Sequence, residues 1–133
     1  MPATLKKAER LSSKKTIGKM FKSGSRSFAV FPLRIVYLET DDSQAAPAAV
    51  MVSVSKSRFK HAVDRNRVKR QIREAYRLDK DSLTSALQNS GKHIAVAIIY
   101  LANQLLPTPL VRSRMHTAIQ IMGERLADNT TQQ

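Results

Sequence analysis

Residues 93–100, HIAVAIIY, constrain the fold of this chain more than any other segment. A short run that is apolar at nearly every position, rather than at every second one, suits a strand covered on both faces. It reads as the central strand of a sheet. Residues 28–38 (FAVFPLRIVYL) are rich in β-branched and aromatic side chains and predict a second strand. Pro32 cannot donate to a ladder, so it belongs near that strand's start or on an edge. Alternation along 31–37 puts Phe31, Leu33, Ile35 and Tyr37 on one face and Pro32, Arg34 and Val36 on the other. Residues 49–55 (AVMVSVS) alternate Val50, Val52 and Val54 with Met51, Ser53 and Ser55, the period of a third strand.

Helical patterns fill the remainder. Ser12 or Ser13 caps a short helix over 13–23, with Ile17, Met20 and Phe21 on one side and Gly24 closing it. A basic helix is predicted over 61–78, followed by a polar connector, 79–91, with at most a helical turn near 82–88. Thr108 then Pro109 is a helix start, and Val111, Met115, Ala118, Met122 and Leu126 form its apolar stripe. Residues 1–11 read as a basic mobile arm, 39–48 as a polar loop and 127–133 as a polar tail. The 133 residues suit one α+β domain with one core.

Charge narrows the partners. The chain carries 23 Lys plus Arg against 10 Asp plus Glu, a formal net charge of +13. A surface like that calls for a polyanion. Eight of the basic residues lie in 1–26, opposed only by Glu9, and nine more lie in 56–77, opposed only by Asp64 and Glu74. Such segregation makes a one-sided field, which phosphate binding uses. No stretch approaches the ~20 apolar residues of a spanning helix, and no signal-peptide run follows the N-terminal lysines, so no membrane role is expected. The chain has no Cys, which fits a reducing cytoplasm.

On a helical wheel, 61–78 (HAVDRNRVKRQIREAYRL) places Val68, Ile72, Ala75 and Tyr76 on one side. Lys69, Arg73, Asn66, Arg77 and Arg70 fill the adjoining arc, with Arg67 and Glu74 beyond it and Arg65 at the apolar edge. A solvated surface helix would intersperse acids at i,i+4; this one has only Asp64 and Glu74. Its cations are mostly Arg, whose planar fork matches phosphate oxygens. The pattern points to nucleic acid.

A protein active site is not in evidence. His61, His93 and His116 have no metal-ligand spacing, the four glycines form no phosphate loop, and the acids do not gather as a two-metal nuclease requires. No catalytic or metal-binding residue is expected.

The segment Asp64–Arg77, DRNRVKRQIREAYR, resembles the signature of the bacterial ribonuclease P protein: an Arg-Asn-Arg triplet, Lys-Arg, then Arg-Glu-Ala and an aromatic. Ser53-Val54-Ser55-Lys56 with Ala62-Val63 looks like the strand and turn that precede it in that family. Residues 10–24, RLSSKKTIGKMFKSG, resemble the family's first helix, with Ile17 where the first of two aromatics usually stands. The turn 57–61 lacks a glycine common in relatives. The resemblance implies an αβββαβα fold with three helices on a four-stranded sheet, similar to domain 2 of ribosomal protein S5, and a left-handed βαβ crossover around the Arg-Asn-Arg helix. The fourth strand would come from a split of 28–38 or from a short strand between Glu39 and Val50.

The resemblance also implies a function: protein subunit of an RNA-based endoribonuclease that removes the 5′ leader of precursor tRNA. The RNA subunit would be the catalyst, magnesium would act in the holoenzyme with no cofactor on the protein alone, and no protein partner would be required. Arg65, Asn66, Arg67, Lys69, Arg70, Arg73, Arg77, Lys56 and Arg58 would contact RNA. Phe21, Ile17, Phe31, Tyr37 and Arg34 would line a leader groove. The rivals are a ribosomal-type or RNA-chaperone protein with no processing role, a helix-turn-helix DNA binder and a protein nuclease. A Val-rich strand, rather than a short helix, before the basic helix disfavours the second. Scattered acids disfavour the third.

Overall fold

The computed structural model describes residues 25–40 and 47–131, with side chains to Leu126. The expected arm over 1–11 and helix over 13–23, with Ile17 and Phe21, lie outside the described residues. Four strands and two helices follow: β1 Arg26–Val30, β2 Leu33–Thr40, β3 Ala48–Ser53, α1 Ala62–Ser90, β4 His93–Tyr100 and α2 Thr108–Thr131.

The sheet order is β1-β2-β4-β3. β4 pairs antiparallel with β2 and parallel with β3, so the apolar run is internal, as its composition predicts. The 28–38 segment is two strands. Pro32 has no N–H to give to a ladder, and the chain turns at Phe31–Pro32, pairing Val30 with Leu33. The Pro32 carbonyl accepts the Leu101 N–H at 2.7 Å, tying the turn to the end of β4.

Leu33, Ile35 and Tyr37 on β2 face the helices, with Val50 on β3 and Ile94, Val96, Ile98 and Tyr100 on β4. Val111, Met115, Ala118, Met122 and Leu126 of α2 are buried against them, the stripe expected from their spacing. Gln71 Nε2 donates to the Leu106 carbonyl (3.1 Å) and to Thr108 Oγ1 (3.0 Å), while His116 Nδ1 lies 3.0 Å from Asp79 Oδ2. The sequence offset, 37 residues, is the same at Gln71–Thr108 and Asp79–His116. The helices therefore run in the same direction.

α1 corrects the sequence expectation. It does not stop near residue 78; it continues through the predicted connector to Ser90. Leu83 and Leu87 extend the stripe of Val68, Ile72, Ala75 and Tyr76 and are buried. Burying a leucine contributes roughly 1.5–3 kcal/mol, enough to hold helical a stretch whose polar residues suggest a loop. Gly91 ends the helix with φ 71°, its N–H on the Gln88 carbonyl and the Lys92 N–H on the Leu87 carbonyl. This is the left-handed closure that glycine accepts most readily. α2 likewise runs to Thr131, through part of the expected polar tail.

The opposite face of the sheet is thinner. Val36, Ala95 and Ala97 form a small cluster there with Leu38, Met51 and Ile99. Strand register sets Ala29, Arg34, Ile99 and Ser53 in one row and Ser27, Val36, Ala97 and Met51 in the next.

Candidate nucleic-acid interface

The cationic arc of α1 begins where β3 ends. Ser55 opens a tight turn: its carbonyl accepts the Arg58 and Phe59 N–H groups, and its Oγ accepts the Ser57 N–H at 3.1 Å. Two arginines anchor this turn. Arg58 reaches across to the Leu101 carbonyl and to Asn103 Oδ1 (3.0 Å). Arg65 folds back on the carbonyls of Phe59 (2.8 Å) and Lys60 (3.1 Å). Phe59 is buried against Tyr100, ring centroids 5.9 Å apart. The turn is thereby held to the end of the sheet, and α1 leaves it at a set angle.

From there Asn66, Arg67, Arg70 and Arg73 stand exposed along α1, with Lys69 half-buried beside them and Lys56 exposed on the turn. Arg77 pairs with Glu74, Nε to Oε2 at 3.0 Å, with a second contact through its other nitrogen. That hydrogen bond holds the Glu74 carboxyl below its usual range and raises the Arg77 guanidinium. So the nine cations and amides expected to meet RNA divide by role. Six present their side chains outward, while Arg58, Arg65 and Arg77 make hydrogen bonds within the protein.

The expected leader groove is not one surface. Tyr37 is 2% exposed, on the helix side of β2, and meets Phe28 edge-on at 6.3 Å. It is a core residue and offers no face to a base. Arg34 is exposed on the opposite side of the sheet, and Phe31 stands at the hairpin tip, 62% exposed. The alternation assigned over 31–37 begins only at Leu33, because Phe31 belongs to the turn. Residues not singled out from sequence also matter here. Exposed Lys60 and Asn103 join the same end, and the absence of acids from 53–63 was the signal for Lys60. Among the described residues no three His, Asp or Glu side chains converge as a metal site.

These features define a small α+β protein whose first described helix carries a row of exposed arginines. The Ribonuclease P family model matches residues 5–109. The chain is 41% identical over 125 residues to the ribonuclease P protein component of Porphyromonas gingivalis, covering 92% of this chain and 90% of that one. Its fold is similar to a Staphylococcus aureus RNase P protein mutant with defective mRNA degradation activity (TM-score 0.68, 20% identity, 87% and 89% of the two chains). It also matches the RNase P protein from Thermotoga maritima (TM-score 0.61, 18% identity, 84% and 94%). The chain belongs to the ribonuclease P protein family.

Proposed function

We propose that this chain is the protein subunit of a ribonuclease P holoenzyme, binding the RNA subunit and the 5′ leader of precursor tRNA while the RNA carries out cleavage. The observation that carries this is the exposed row Arg67, Arg70 and Arg73 with Asn66 on α1, within the segment that resembles the family signature. Guanidinium groups bind phosphate oxygens through paired N–H donors, and the Asn66 amide both donates and accepts. Lys69 and Lys56 add charge. Arg58 and Arg65 position the turn and Arg77 is offset by Glu74, so these three serve the interface indirectly. The leader would cross the sheet face bearing Arg34, Val36 and Met51, with Phe21 and Ile17 of the N-terminal segment supplying its cover.

Magnesium would be held by the RNA. The protein's share is binding and orientation; no side chain serves as acid, base or nucleophile. The family fold further implies a first helix before β1, giving αβββαβα as in domain 2 of ribosomal protein S5, and a left-handed β3-α1-β4 crossover. A cytoplasmic site of action suits precursor tRNA as substrate; no described helix is long and apolar enough to cross a membrane.

Reconstitution at low magnesium tests the proposal. Wild-type protein restores precursor-tRNA cleavage to the RNA subunit, whereas Arg67→Ala and Arg70→Ala weaken RNA binding and each lower the log–log salt slope by about one unit. An unchanged slope and affinity in the double variant would sink it. Cleavage by the protein without any RNA subunit would instead favour a protein nuclease.

A further inference from the structure

Three segments meet at the end of the sheet where β4 finishes. Pairing of Leu33 with Tyr100 and of Ser53 with Ile99 brings the β1–β2 turn, residues 54–60 and residues 101–107 to that end. Leu101 joins them, its N–H on the Pro32 carbonyl and its own carbonyl accepting from Arg58. Phe31 is the one exposed Phe or Tyr among the described residues. Around it the chain is free of acids: 28–36, 53–63 and 100–107 contain no Asp or Glu and carry Arg34, Lys56, Arg58, Lys60 and His61. Arg34, Lys56 and Lys60 are exposed.

An apolar protein partner docking on Phe31 would desolvate these cations without pairing them. A second copy of this chain would bring like charge against like. An unpaired nucleotide answers both features, because its base presents a π-face to the ring and its phosphates meet the cations. We propose that Phe31 is a stacking site for an unpaired RNA base, with the flanking phosphates against Lys56 and Lys60. The site rests on the RNA-binding role proposed above. It lies apart from the sheet's outer face, at the end nearest the first turn of α1, so one RNA strand could pass from the arginine row to the sheet by way of the ring.

Leucine keeps most of the apolar area of Phe31 and removes the π-face, whereas tryptophan keeps it; at an exposed turn both should fold. Affinities are measured for four interactions: protein with RNA subunit, and holoenzyme with precursor tRNA bearing a long leader, a truncated leader or none. Phe31→Leu is expected to lose roughly tenfold in one of these, with Phe31→Trp near wild type. Loss confined to the long-leader substrate identifies a leader base; loss in RNA-subunit binding identifies a base of that RNA. Wild-type affinities for Phe31→Leu throughout, beside a weakened Arg67→Ala control, overturn the stacking site and leave the RNA-binding role standing. Equal losses in the Leu and Trp variants also overturn it, by making Phe31 a structural part of the turn. A silent Arg67→Ala/Arg70→Ala double variant removes the RNA-binding role, and the stacking site with it.

Discussion

Tyr37 brings a hydroxyl into the core where, among the described residues, no hydrogen-bond partner meets it. Its ring is well used, against Phe28, but the oxygen is desolvated without return. Tyr37→Phe should therefore leave stability unchanged or raise it by up to about 1 kcal/mol, and leave the preference for precursor over mature tRNA intact. Urea unfolding and paired affinities check both; a narrowed preference would return Tyr37 to the leader site. Arg125 also lies over the Phe28 ring, its guanidinium carbon 4.8 Å from the ring centroid. Glu74 works differently. Its lowered carboxyl, held by the Arg77 hydrogen bond, keeps the pair formed above the usual carboxylate range. The pair is lost as pH falls through the lowered value, which frees Arg77 for phosphate. Such exposed pairs contribute little to stability.

At the scale of the element, α1 has two halves with separate duties. Its first half carries the arginines, while its second half carries Leu83 and Leu87 into the core and ends at Gly91. Leu87→Ala should destabilise the fold by about 2–5 kcal/mol, the range for a buried leucine, without altering the salt slope of RNA binding. Gly91→Ala should cost about 1–2 kcal/mol, because a Cβ is strained in the left-handed region. No neighbouring atom would meet that Cβ, so the cost is backbone strain alone. Denaturant midpoints with salt titrations of the same variants separate the two duties. A Leu87→Ala protein of wild-type stability would mean that the second half of α1 is not packed as described.

For the whole molecule, binding and catalysis should come apart. A charge of +13 should make RNA affinity strongly salt-dependent. The cleavage step, by contrast, should not depend on a protein acid or base. His116 is tied to Asp79 between the helices, His93 opens β4 and His61 precedes α1. Replacing His61, His93, His116, Asp64 or Glu74 one at a time should leave single-turnover cleavage at saturating magnesium within a few-fold of wild type. A general acid or base would show a loss of about 10²–10⁴-fold. A drop of that size at any of the five would place part of the chemistry on the protein.

The α+β class, the central position of 93–100, the stripe of α2 and the arginine arc of α1 were all legible in the sequence. Each depends on periodicity or composition within one element, and local pattern survives folding when burial follows it. The resemblance of Asp64–Arg77 made the family legible too. Other features required the fold. Whether 79–90 is helix or loop depends on whether Leu83 and Leu87 find a core to enter. Pro32 could mark the start of a strand or divide one, and only the pairing of Val30 with Leu33 decides. Phe31, Arg34 and Tyr37 are near neighbours in sequence, yet they point to a tip, an outer face and a core. Which arginines are free is likewise a tertiary matter. Arg58 and Arg65 are spent on carbonyls of Leu101, Phe59 and Lys60, because a turn with unpaired backbone acceptors captures the nearest donors before any RNA arrives.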